Sequence, residues 1–222
     1  MVTQDRAIRT RRTILTAAAK VFEERGYRAA TISEILSAAG VTKGALYFHF
    51  ASKEDLAEGV ISEQDQQLPI PERACKVQEM VDAVMVHAFR LQTDPLVRAG
   101  VRLSLDQQAQ GLDRRGGFLR WSAVGVELLT AARAQGELLP HVVPTVTADV
   151  LVGSFAGVQA MSQTMSNYQD LPARVTALLR HILPSVVMPS VLAAVDLTEG
   201  RGAAVNDELQ QLHVLQQAAA LT

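Results

Sequence analysis

The stretch from Thr31 to Phe50 constrains the fold more than any other part of the chain. Thr31 stands before an apolar run with Glu34 three residues on, the reciprocal capping pair that starts a helix. Ile32, Ile35 and Leu36 give that short helix one inward face. Ala39-Gly40-Val41 breaks it, because glycine accepts the backbone conformation that swings one helix across the next. A further helix begins at Thr42, whose hydroxyl can cap the free amides, and runs through Lys43-Gly44-Ala45-Leu46-Tyr47 with Leu46 inward. Two short helices around a glycine turn read as a helix-turn-helix. Ahead of them, Ile14, Ala18, Val21 and Phe22 line one face of a first helix that Gly26 ends. After them, Ser52-Lys53-Glu54-Asp55 repeats the capping pattern and opens a fourth helix, ending before Pro69.

Charge agrees with a nucleic-acid-facing head. The formal net charge of −2 hides a polarity. Residues 1–53 hold nine Lys and Arg against four acids, net +5, and the rest of the chain is net −7. A basic head can attract a phosphate backbone that an acidic body repels. A basic solvated face with no partner is the competing reading.

Downstream, the apolar spacing stays helical. Val77, Val81, Val84 and Ala88 form a stripe on a fifth helix, and Pro95 starts a sixth with Val97, Val101 and Leu105 on one face. Gln107 to Gly117, with three glycines, reads as a loop. A seventh helix carries Phe118, Trp121, Gly125, Leu128 and Ala132 and stops at Gly136. An eighth spans about Val146 to Asn167, a ninth runs from Leu171 through Leu178, Ile182 and Val186, and another begins near Pro189. Beyond Asp196 an amphipathic tail with Val205, Leu209 and Leu212 is expected to fray. No period-two run suggests a strand, so the expected class is all-α.

Several functions are set aside. The single cysteine, Cys75, can form no intrachain disulfide, which fits a reducing cytoplasm, and it has no local His or Arg frame for catalysis. The histidines are scattered without metal-ligand spacing, so no metal and no cofactor are expected. No P-loop, dinucleotide fingerprint or Gly-x-Ser-x-Gly occurs, and no nucleophile, base and orienting group converge in the pattern. The N-terminal residues lack the apolar core of a signal peptide, and Val150 to Met161 is too short to span a bilayer, so no membrane partner is expected.

In the head, Lys43 at the second position of the recognition helix can donate to guanine O6 and N7 in the major groove, although a solvated lysine is the alternative. Gly44 lets the backbone approach DNA, and Ala45 belongs to the same first turn. Tyr47 and His49 can donate to phosphates, with a C-terminal cap as the other role for His49. Thr31, Thr42 and Lys53 are expected to touch phosphate while starting helices, and Arg11 to reach the backbone from the first helix. Phe48 and Phe50 are expected in the core.

The string from Thr31 to Phe50, followed by Ser52-Lys53-Glu54-Asp55-Leu56, resembles the DNA-binding signature of TetR-type repressors. The likeness extends further. Asp5 to Arg11, Arg98 to Gln108, Gly111 to Gly116, Trp121 and Phe155 to Thr164 are similar to the γ-butyrolactone autoregulator receptors of antibiotic-producing actinobacteria. The resemblance implies a three-helix DNA-binding head over 1–51, a helical ligand-binding and dimerisation body over 52–195, and a tail over 196–222. It implies a cytoplasmic, nucleoid-associated homodimer on double-stranded operator DNA, released by a small lactone effector that controls secondary metabolism. Two dimers on one operator are compatible with the motifs. A repressor answering an antibiotic, or a relative with no lactone ligand, is the alternative.

The resemblance also bears on Trp121. From the residues alone it reads as a core tryptophan, whereas in these receptors a tryptophan here lines the lactone pocket. A lactone offers acceptors and no charge, so neutral donors among apolar walls suit it. Gln64 and Ser154 are candidate donors, and Phe89, Leu103 and Val158 candidate walls, while Gln159 and Gln163 could equally face a dimer partner. Helices eight and nine are expected to pair with their copies.

Overall fold

The computed structural model describes residues 2–66, 70–105 and 115–219. Among these, eleven α-helices and one short 3-10 turn make up the regular structure, with no strand; a lone antiparallel bridge joins Leu138 and Val187. The chain divides into two compact units, Met1–Gln67 with Asp94–Gly117, and Leu68–Thr93 with Phe118–Thr222.

The first unit contains α1 (Val2–Ala29), α2 (Ile32–Ala39), α3 (Lys43–His49), α4 (Lys53–Gln66) and α6 (Pro95–Leu105). Its breaks follow the local chemistry. Gly26 interrupts α1 with φ +76°, and Gly40 ends α2 in the left-handed region at φ +63°. The Thr31 hydroxyl accepts from the Glu34 amide at 3.2 Å while the Glu34 carboxylate accepts from the Thr31 amide at 2.9 Å. The Thr42 hydroxyl accepts from the Ala45 amide at 3.2 Å. At the start of α4 the Ser52 hydroxyl accepts from the Asp55 amide at 3.1 Å, and the Asp55 carboxylate accepts from the Ala51 amide at 2.7 Å. Ile14, Leu15, Phe22, Ile35, Leu46, Phe50, Leu56 and Val60 fill the core, joined by Leu96, Ala99 and Leu103 of α6. Arg98 and Arg102 of α6 both bind Glu23 of α1, through its carboxylate and its carbonyl.

The expected boundary after residue 51 therefore falls inside this unit, since α4 and α6 both pack on α1. Leu103, expected as a wall of the effector cavity, is 2% exposed in this core instead. Tertiary packing decides that assignment, because the stripe on α6 looks the same whichever core it meets.

The second unit holds α5 (Lys76–Thr93), α7 (Arg115–Ala134, from Phe118 on), α8 (Pro144–Ser166), α9 (Leu171–Ile182), α10 (Pro189–Leu192) and α11 (Arg201–Ala219). The expected loop through Gly117 is shorter than read, since Arg115, Gly116 and Gly117 are already helical; residues 106–114 lie outside the described residues. Helix α5 is buried on several sides, because α9 and α11 both pack on it, so its core reaches well past the stripe expected. Glu137, in the turn after α7, accepts from the Lys76 and Val77 amides at 2.9 and 2.8 Å and caps α5.

The expected fraying tail is a nineteen-residue helix, and its first turns are anchored. Asp82 of α5 is 0% exposed and accepts from Arg201 Nε and Nη2 at 2.7 and 2.6 Å, from Arg73 Nε at 2.8 Å and from Gln78 at 2.7 Å. Those partners hold its carboxyl below the usual carboxylate range against the opposing effect of burial. Arg73 also forks onto Glu208 of α11. Gly202 comes so close that an added Cβ would stand 2.3 Å from the Met85 carbonyl oxygen.

Candidate nucleic-acid interface and effector site

Helix α3 is held by one buried residue, Leu46, together with Phe50 just past its end. This leaves Thr42, Lys43, Gly44 and Tyr47 exposed, and Ala45 and His49 half-buried. Lys43 Nζ rests 5.8 Å from the Tyr47 ring centroid, so the two form one exposed cationic and aromatic patch. A Cβ added at Gly44 would meet nothing within 4 Å. The helix-propensity cost of that glycine, about 1 kcal/mol, is thus offset by no packing within the chain, and the open space suits a close-approaching molecule.

Phe48 is 79% exposed, contrary to the core position expected for it. It lies two residues from both Leu46 and Phe50, which puts it on the opposite side of the helix. Its ring stands edge-on to His49 at 5.0 Å. A helical wheel centred on Leu46 would have placed it correctly.

The remaining head residues carry structural duties as well. Thr31 is exposed, but its hydroxyl donates to Glu34 Oε2 at 2.9 Å. The Arg11 guanidinium lies 5.3 Å over the Phe50 ring, between α1 and the end of α3. Lys53 Nζ sits 4.7 Å over Tyr27 and donates to the Arg28 carbonyl at 3.4 Å. Burial pulls its pKa down, with Glu54 and Glu34 opposing. Tyr27 in turn donates to Glu54 at 3.0 Å, and burial followed by that carboxylate pushes its hydroxyl up to about 12.

In the second unit, Trp121 of α7 is half-buried, with its ring centroid 4.8 Å from the His87 imidazole of α5. His87 also lies 5.5 Å from the Phe155 ring of α8. Three helices thus contribute one ring each. Ser154 and Val158 are half-buried neighbours of Phe155 on α8, whereas Gln159 is buried within its own unit. The Phe89 Cβ lies beside α11, 3.0 Å from where a Cβ at Gly202 would stand. The Gln64 side chain lies outside the described residues. Sequence reasoning missed His87, because buried neighbours on both sides of it leave no periodic signal.

The other face of α8 is apolar and open. Val146, Val150, Met161 and Met165 are each at least half exposed, and Cβ atoms added at Gly153 and Gly157 between them would meet nothing. Among the described residues no cluster of three or more His, Cys, Asp or Glu could hold a metal, and no helix is long and apolar enough to cross a membrane.

The helix-turn-helix and its exposed third helix define a DNA-binding regulator. The family model for bacterial regulatory proteins of the tetR family matches residues 14–60. The A-factor receptor protein of Streptomyces griseus is 41% identical over 201 residues, covering 90% of this chain and 72% of that protein. A crystal structure of TylP, a TetR regulator from Streptomyces fradiae, superposes with a TM-score of 0.85 at 46% identity, covering 92% of this chain and 99% of that one. A γ-butyrolactone receptor described as ArpA-like gives a TM-score of 0.65 at 27% identity, covering 93% and 98%. The chain belongs to the TetR family of bacterial regulatory proteins; it is a transcriptional repressor by kinship, not an enzyme, and it is closely similar to the A-factor and γ-butyrolactone receptors.

Proposed function

We propose that this protein is a homodimeric repressor that holds a pseudo-palindromic operator and releases it on binding a γ-butyrolactone or a related butenolide. One observation carries the reading: the likeness to the A-factor receptor runs through the second unit, not only through the DNA-binding head. A head alone would say nothing of the effector.

Lys43 reads a guanine edge, Gly44 and Ala45 allow close approach, and Arg11, Thr31, Thr42, Tyr47, His49 and Lys53 position the head on phosphates. The lactone occupies the second unit, against Trp121, Ser154 and Val158. Two copies meet through the open face of α8 with α9, and their recognition helices lie about 34–36 Å apart, or a multiple of that. Coupling runs along covalent joints: α4 leads out of the head, and α5 passes through Asp94 directly into α6 of the head's own core. The effector must weaken operator binding by about 1–3 kcal/mol, and the operator must weaken effector binding by the same factor.

The test is operator release. DNA fragments from the protein's own genome are selected for binding, and the bound complex is titrated with lactones, butenolides and antibiotics. Release by a lactone or butenolide alone supports the reading. Release by an antibiotic alone, or by none of these ligands, refutes it.

A further inference from the structure

We propose that His87 is the hydrogen-bonding residue of the effector site: its imidazole meets an oxygen of an uncharged effector while Trp121 and Phe155 receive the apolar part. This rests on the reading that the second unit binds a lactone. The placement of His87 is the reason to single it out. It is only 8% exposed, and the Trp121 and Phe155 ring centroids lie 4.8 and 5.5 Å from its own. Among the described residues neither ring nitrogen has a hydrogen-bond partner. Buried polar groups are nearly always bonded. Among the described residues the fully enclosed side-chain atoms without a hydrogen bond are Tyr168 Oη and Thr176 Oγ1, so the imidazole nitrogens keep some accessible surface that an oxygen can reach. A phenylalanine or leucine would fill the same space and offer no hydrogen bond.

The electrostatics suit a neutral ligand. Burial, with the Arg90 charge behind it, pushes the His87 pKa down to about 3. At neutral pH the ring therefore carries no charge and offers one donor and one acceptor. A lactone carbonyl can take the donor. The ring of Trp121, the chain's only tryptophan, lies close enough to report occupancy by fluorescence.

The test uses two probes, an α-hexyl-γ-butyrolactone and the hexyl tetrahydrofuran that lacks only its carbonyl oxygen. Binding to the full-length protein is measured by calorimetry and by tryptophan fluorescence. The wild type should favour the lactone by about tenfold or more, the size expected for a buried polar group deprived of its partner. His87→Leu should bind both probes alike, and His87→Asn should recover part of the preference. His87→Phe serves if the leucine variant does not fold, and operator binding checks each fold. A wild-type preference that survives in His87→Leu or His87→Phe overturns the proposal and leaves the lactone reading standing. A wild type that binds both probes equally does the same. A wild type that binds neither probe removes the lactone reading and this proposal with it.

Discussion

Acidification from neutrality to about pH 5 should destabilise the protein through His87, and by an amount the structure sets. An imidazole ordinarily titrates near 6.5, and in the folded chain burial followed by the Arg90 charge lowers this to about 3. The folded state thus keeps the ring neutral where the unfolded chain would protonate it. With the folded value below the unfolded one, this contribution is fully present above about 6.5 and is lost as pH falls towards 3. The slope is at most about 1.4 kcal/mol per pH unit, so the interval down to pH 5 amounts to about 2 kcal/mol. Other groups titrate over the same range, which a comparison with His87→Phe removes. Urea unfolding of both proteins, followed by far-UV circular dichroism at fixed protein concentration, gives the loss for each. The wild type should lose about 2 kcal/mol more than the variant between the two pH values. Equal losses would mean that the ring protonates inside the folded protein, and its enclosure by Trp121 and Phe155 would be wrong.

The other expectations concern separate elements. Lys43→Ala should weaken specific operator binding by about 1–3 kcal/mol and leave random DNA less affected, as competition gel shifts would show; equal losses would make Lys43 a phosphate contact only. Trp121→Ala should abolish effector release while leaving operator affinity intact, so an unchanged lactone response in the same gel shift would remove Trp121 from the site. Gly202→Ala should cost about 1–3 kcal/mol, because its Cβ meets the Met85 carbonyl at 2.3 Å and α11 must move. Faster amide exchange confined to α11 and the facing side of α5 would show that displacement, and an unchanged melting temperature would refute it.

The helix-turn-helix was legible from sequence because it is local. A capping pair needs residues three apart, a left-handed break needs one glycine, and an inward face needs apolar residues one turn apart. Each of these stands within one or two helical turns of its partner, so Thr31 with Glu34, Gly40, Thr42 and Leu46 state their roles without help from distant chain. Phe48 was equally local, and its misplacement came from grouping it with Phe50 rather than counting around the helix. Distant chain decided the rest. Whether α6 joins the head or the body depends on whose core meets its apolar face, and Leu103 went to the head. The tail is anchored because Asp82, more than a hundred residues earlier, is wholly buried and needs the charge of Arg201 beside that of Arg73. The cluster of His87, Trp121 and Phe155 is drawn from three helices, and only packing brings the imidazole against the two rings. Short-range spacing determined where helices begin, end and present a reading face, whereas burial, which depends on what lies across the interface, chose the residues that anchor and the residue placed to meet a ligand.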